Sequence, residues 1–173
     1  STLHSFGCRL LRNEGFRSGF DGDLYFANLA DKDDRAELFL EDLLPFVRGP
    51  GVSTIPQLRH QVTRVKKAWQ DARDPAQEPS PAPSITTACL DLGRAYRLLD
   101  WDYTIPAADE LLRGLPVWPQ WISRLRHFLI DEYQDFNKAE QNFLTGITHR
   151  ADSVVIVGDD DQSLYSGRGG SPE

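Results

Sequence analysis

The chain has 173 residues, 40% of them hydrophobic and 26% charged, with 26 acidic against 19 basic side chains and a formal net charge of −7. That composition fits a soluble globular protein with one sizeable core or two small ones, and it excludes a surface built throughout to hold nucleic acid, which would need a positive field. Cys8 and Cys89 are far apart with no metal-ligand spacing, and no apolar run could span a bilayer, so reduced thiols, a cytoplasmic location and no membrane partner are expected.

Taken in chain order, residues 4–13 read as a short helix, with Leu3, Phe6, Leu10 and Leu11 on one face. The chain thus opens inside a periodic segment and contains no methionine, as expected of a piece of something longer. A glycine-broken turn, "EGFRSGFDGD", leads to a short strand candidate, "LYFANL". The helix "KDDRAELFLEDLLPFV" follows, its acidic first turn suited to the positive end of the helix dipole, and "RGPG" stops it. After Pro56, "QLRHQVTRVKKAWQDAR" keeps Leu58, Val62, Val65 and Trp69 at helical spacing. Arg59, Arg64, Lys66 and Lys67 lie on its other faces, where duplex contact and a solvated face are equally good readings.

The segment 74–83, "DPAQEPSPAP", carries four of the eleven prolines and is expected to be an exposed loop. "SITTACLDLGRAYRLLD" reads as one helix with Ser84 as its N-cap, and short helices are expected between Pro106 and Arg126. The four tryptophans, 69, 101, 118 and 121, are read as core. His60, His127 and His149 show no metal spacing and are read as surface or capping residues.

From residue 127 the pattern changes. "HFLID" and "SVVIVGDD" are compact apolar runs of the kind buried on both faces of a sheet. Between them, Asn137 and Glu140 form a capping-box pair ahead of an apolar face made by Ala139, Phe143, Leu144 and Ile147. Strand, helix, strand with this crossover length predicts a parallel β-α-β unit, right-handed by default. Both strands end in acids: Asp131 and Glu132 after the first, and Asp159, Asp160 and Asp161 after the second. In open parallel sheets, the ligand crevice lies outside the carboxyl ends of the strands. Acidic turns after strands are common. Here, however, Asp131 suits a hard cation such as Mg²⁺, and Glu132 suits general-base activation of a water beside a γ-phosphate.

"FLIDEYQDFNKAEQ" followed by "VIVGDDDQSLYSGRGG" resembles motifs II and III of the UvrD/Rep/PcrA group of superfamily 1 DNA helicases, and "STLHSFGCRLLR" resembles motif Ib. The resemblance implies a mostly helical α/β fold: a partial RecA-like β-α-β unit plus an all-helical inserted subdomain. Residues 1–32 and 114–173 would be the RecA-like pieces, and 33–113 the insertion. It further implies ATP and Mg²⁺ as cofactors, single-stranded and duplex DNA as partners, Asp131 on the metal, Glu132 on the hydrolytic water and Gln162 sensing the γ-phosphate. Gln134 and Asp135 would couple that edge to motif III, while His4, Ser5 and Tyr165 would lie toward single-stranded DNA. Ser166 and Gly167 depart from the arginine and aromatic usual after the motif III tyrosine, so a stacking platform is missing there. Arg168 matches the family's pattern, with a phosphate or structural contact as its expected role.

No G-x-x-x-x-G-K-[ST] occurs in the chain, so it is expected not to hydrolyse ATP alone. The alternatives are a non-enzymatic DNA- or protein-binding module and a Mg²⁺-dependent nuclease built on the strand-end carboxylates. Strands taken out of a larger sheet would leave open edges, and self-association through them or a disordered tail is expected.

Overall fold

The computed structural model describes residues 2–15, 19, 23–31 and 34–159. These residues are mostly helical, with two small parallel sheets. Helix α1 spans Leu3–Glu14 and is capped by Thr2, whose hydroxyl accepts from the Ser5 N–H. Strand β1 (Tyr25–Ala27) precedes helices α2 (Asp34–Val47) and α3 (Ile55–Gln70), the latter capped by Thr54 with Pro56 in its first turn. Helix α4 (Ala82–Tyr96) leads through Arg97 into strand β2 (Leu98–Asp100). Then follow α5 (Thr104–Gly114), the single turn α6 (Gln120–Ser123), strand β3 (His127–Ile130), α7 (Lys138–Thr148) and strand β4 (Ser153–Ile156).

Two clusters of buried side chains organise these elements. One joins Leu10 and Leu11 of α1, Ile105, Leu111 and Leu112 of α5, Ile130 of β3, and Phe143 and Ile147 of α7. The other joins Leu40 and Leu43 of α2, Leu58, Val62 and Trp69 of α3, and Ile85 and Cys89 of α4. The boundary expected at 113/114 falls at the end of α5, which packs in the first cluster. The β1–β2 pair lies between them. Successive strand residues face opposite ways, so Leu98 enters the second cluster while Leu99 enters the first.

Strand β2 departs from the expected helix, which periodicity alone carries to Asp100. The helix in fact ends at Tyr96 because Arg97 adopts φ 53°, ψ 35°, the left-handed turn that closes many helices. That turn brings the Leu98 carbonyl so close to α4 that a Cβ on Gly93 would sit 2.6 Å from its oxygen. Ser84 is not the N-cap of α4 either. Pro81 holds that position, and the Ser84 hydroxyl donates to the Pro81 carbonyl at 2.9 Å. The helix begins inside the proline-rich segment because proline is tolerated in a first turn, where N–H groups have no intrahelical partner. Another part of that segment, Pro75–Gln77, forms a 3₁₀ turn capped by Asp74.

The expected β-α-β unit is present, with β3 and β4 paired in parallel from His127 against Ser153 to Ile130 against Ile156. The reading of both strands as doubly buried is corrected for the described residues. Every residue of β4 is exposed, as is Leu129 on β3. A two-stranded sheet offers α7 few strands to cover, and no other described element covers the remaining surface. Cys8 and Cys89 are free and buried. Burial raises both thiols above their ordinary range, opposed at Cys8 by Arg12 and reinforced at Cys89 by Asp100. No helix among the described residues is long and apolar enough to cross a membrane.

Candidate nucleotide edge and nucleic-acid face

Parallel pairing does not stop at the ends of β3 and β4. The Val157 N–H donates to the Ile130 carbonyl at 2.8 Å, and the Tyr133 N–H donates to the Val157 carbonyl at 3.1 Å. The two acid-bearing strand ends are thereby held side by side. Asp131 is exposed, and one of its oxygens accepts from the Glu132 N–H at 3.0 Å. Glu132 adopts φ 54°, ψ 41°. For a residue with a Cβ this left-handed geometry costs roughly 1–2 kcal/mol, and strain of this kind clusters at functional sites.

Gln134 is buried and closes the arrangement. Its amide nitrogen donates to Glu132 Oε2 at 2.6 Å, while its amide oxygen accepts from the Asp159 N–H at 3.0 Å. One side chain therefore ties the acid after β3 to the chain leaving β4. The approach requires Gly158, where a Cβ would lie 2.7 Å from the Gln134 oxygen. Asp135 ends the 3₁₀ turn Tyr133–Asp135, and its Oδ1 is buried without a hydrogen-bond partner among the described residues. The capping box then starts α7: Asn137 Oδ1 accepts from the Glu140 N–H at 3.0 Å, and Glu140 Oε2 accepts from the Asn137 N–H at 2.8 Å.

Asp160, Asp161, Gln162, Tyr165, Ser166, Gly167 and Arg168 lie outside the described residues. Among those described, no group of three or more His, Cys, Asp or Glu is arranged to hold a metal ion. Asp131 nonetheless has the donor chemistry that Mg²⁺ takes from a protein: an exposed carboxylate, with water and phosphate oxygens left to complete the shell.

His4 and Ser5 occupy the first turn of α1, which contains no acidic residue. The Ser5 hydroxyl is engaged with Thr2 Oγ1 at 2.7 Å. His4 Nδ1 lies 3.4 Å from Glu140 Oε1, so the opening helix meets the first turn of α7. The His4 ring also stacks on Trp101, with centroids 4.9 Å apart and planes 5° from parallel.

The basic helix is largely neutralised from within. Arg59 pairs with Glu37, and Lys67 pairs with Asp71 at 3.0 Å. Lys66 is buried, 2.9 Å from Asp102 and 3.3 Å from Asp100, and also donates to Asn28. Burial pushes the Asp100 carboxyl above the usual carboxylate range, against the opposing pull of Lys66 and of the Leu29 N–H. Sequence reasoning missed this group because its members are scattered over residues 28–102. Of the four tryptophans, Trp69 is buried, and Trp118 and Trp121 pack against the first cluster, but Trp101 is 42% exposed.

The chain is 28% identical over its whole length to the ATP-dependent DNA helicase Rep of Salmonella typhimurium, of which it covers 26%. It is 26% identical over 98% of its length to the ATP-dependent DNA helicase PcrA of Staphylococcus aureus strain NCTC 8325, covering 24% of that protein. A third relative, Rep of Buchnera aphidicola subsp. Schizaphis graminum, is 35% identical over 46% of the chain and 12% of its own length. The chain thus spans about a quarter of the length of the first two relatives. The profile of the UvrD/REP helicase N-terminal domain matches residues 1–173, so the chain belongs to that family.

Proposed function

We propose that this chain is part of an ATP-dependent DNA helicase, carrying a RecA-like piece and its helical insertion. In the full-length protein, ATP hydrolysis would drive movement along single-stranded DNA and separation of duplex. The observation that best supports this reading is the bridge made by Gln134, which joins Glu132 to the chain leaving β4 and holds both acid-bearing ends on one rim. Glu132 orients and deprotonates the attacking water. Asp131 holds Mg²⁺, which when bound offsets phosphate charge. Gln134 restrains the Glu132 carboxylate, and Gln134 and Asp135 would couple that edge to motif III. His4 and Ser5 face single-stranded DNA from the amino end of α1. Because a phosphate loop is absent from its 173 residues, the isolated chain is inactive in this reading.

The test is Glu132→Gln in the full-length protein. Hydrolysis of ATP stimulated by single-stranded DNA should fall by about two orders of magnitude or more, as expected for loss of a general base, while binding of a fluorescent ATP analogue persists. Undiminished turnover in this variant would remove Glu132 from the mechanism and the reading with it.

A further inference from the structure

We propose that the face around the single turn α6, together with Arg9 of α1 and Arg150 just beyond α7, docks a segment of a partner protein that carries acidic and apolar side chains. This face is separate from the nucleotide edge. The segment bearing α6 runs directly into the start of β3, and Trp118 within it meets His149 and Arg150 in the connection from α7 to β4. Just ahead of both strands, the Asp152 N–H donates to the Arg126 carbonyl at 2.7 Å. The face therefore lies toward the amino ends of β3 and β4, away from the carboxyl ends that carry Asp131 and Glu132.

Charge sets this face apart from the rest of the chain. The formal net charge is −7, yet no acid occurs between Glu110 and Asp131. Arg113 and Arg126 of that stretch are paired with Asp109 and Asp152, whereas Arg9, Arg124 and Arg150 are exposed and in no ion pair among the described residues. Two of these guanidinium groups are held in place. Arg9 lies over the Trp121 ring, 4.5 Å from its centroid, and Arg150 lies over the Trp118 ring at 4.6 Å. His149 steadies the second pair: its Nδ1–H donates to the Gly146 carbonyl at 2.8 Å, and its Nε2 accepts from Arg150 Nε at 3.2 Å. The terminal nitrogens of Arg150 are left as a fork, which matches a carboxylate in two parallel hydrogen bonds. A guanidinium already stacked on a ring loses less freedom when it binds. The dipole of α7 favours a cation at position 150, but it accounts for neither Arg9 nor Arg124. Val117, 79% exposed, and Leu125, 37% exposed, add apolar surface to the same segment. Tryptophan and arginine are the side chains that most often dominate protein interfaces. An acidic protein segment fits better than single-stranded nucleic acid, because a guanidinium already lies over each indole where a base would stack, while a carboxylate needs only the guanidinium edge. A second copy of the chain related by two-fold symmetry would set one basic face against another.

The probe is a fluorescein-labelled peptide made of Glu-Leu-Asp-Phe repeats, titrated with the full-length protein and read by fluorescence anisotropy. The parent should bind it saturably, and should bind a peptide with Gln and Asn in place of the acids at least about fivefold more weakly. Arg9→Gln combined with Arg150→Gln should weaken the acidic peptide by at least about fivefold, the loss that marks a hot spot. Arg48→Gln combined with Arg64→Gln removes the same charge from exposed positions elsewhere and should leave affinity within about twofold. ATP turnover stimulated by single-stranded DNA should persist in the Arg9→Gln/Arg150→Gln protein, which keeps this test separate from the helicase reading. No saturable binding by the parent, parental affinity in Arg9→Gln/Arg150→Gln, or an equal loss in both arginine pairs would overturn the proposal. A loss of affinity for oligothymidylate instead of for the peptide would also overturn it, making the face a nucleic-acid contact. If the Arg9→Gln/Arg150→Gln protein is recovered unfolded, Val117→Asp, at a position already in solvent, takes its place: weaker binding of the acidic peptide with unchanged binding of its amide counterpart supports the proposal, and parental affinity or an equal loss on both peptides overturns it.

Discussion

Glu132 and Gln134 are two residues apart, yet their geometry depends on a glycine more than twenty positions later. Gly158→Ala places a methyl 2.7 Å from the Gln134 amide oxygen and also within 3.5 Å of the Gln134 and Tyr133 nitrogens. The amide must then give up its bonds to Glu132 and the Asp159 N–H. We expect a loss of about 1–3 kcal/mol in urea denaturation, the cost of stranding buried polar groups, with a matching fall in ATP turnover of the full-length protein. The acids themselves were legible in the sequence, because strand-end carboxylates follow directly from an apolar run. Gly158 was not, since its role exists only when two loops meet. Tyr103 makes a second residue-level case. Its phenol, packed against both cores, is pushed up to about 12 by burial and then by Glu110. A phenol that keeps its proton in the folded state up to about 12 but loses it at 10.0 when unfolded stabilises the fold fully below pH 10. That contribution, about 3 kcal/mol, is lost as pH rises from 10 to about 12. Denaturation midpoints across this window should fall less steeply in Tyr103→Phe.

Among the elements, the helices were legible because a 3.6-residue period and capping chemistry are local. The Asn137–Glu140 box forms both of its bonds, and Ala139, Phe143, Leu144 and Ile147 are all buried. Strand β2 was not, because three residues are too few for an alternating pattern and because Arg97, not a glycine, makes the turn before it. Lys66 shows the same limit. By spacing it belongs to a basic face of α3, but it turns inward to Asp100 and Asp102. Lys66→Met should therefore destabilise the chain by about 3–5 kcal/mol, the range for leaving a buried charge unpaired, whereas Arg64→Met, on an exposed position of the same helix, should change stability by less than about 0.5 kcal/mol. Urea midpoints of the two variants, compared with the parent, decide between an inward clamp and a solvated basic face.

For the whole molecule, the β3–β4 sheet is the exposed apolar feature that matters. Val154, Val155, Ile156 and Val157 are 41–54% exposed, and Leu129 is 76% exposed. Apolar strands without cover on their faces recruit other chains, so the isolated chain should self-associate with rising concentration in sedimentation velocity. Val155→Lys should suppress that association without lowering the urea midpoint, because residue 155 is already half in solvent. A parent that stays monomeric at high concentration would contradict this. By itself, the amino-acid order determined the helices, the capping box, the parallel crossover and the acidic strand ends, since each is written in residues within a few turns of one another. Only the tertiary structure decided which charges of α3 turn inward, which tryptophan stays in the open, how Gln134 spans two strand ends, and that β4 has no cover among the described residues. These outcomes depend on groups far apart in the chain, such as Leu29 and Asp100, 71 positions from one another, meeting across a core, and local pattern carries no information about distant partners.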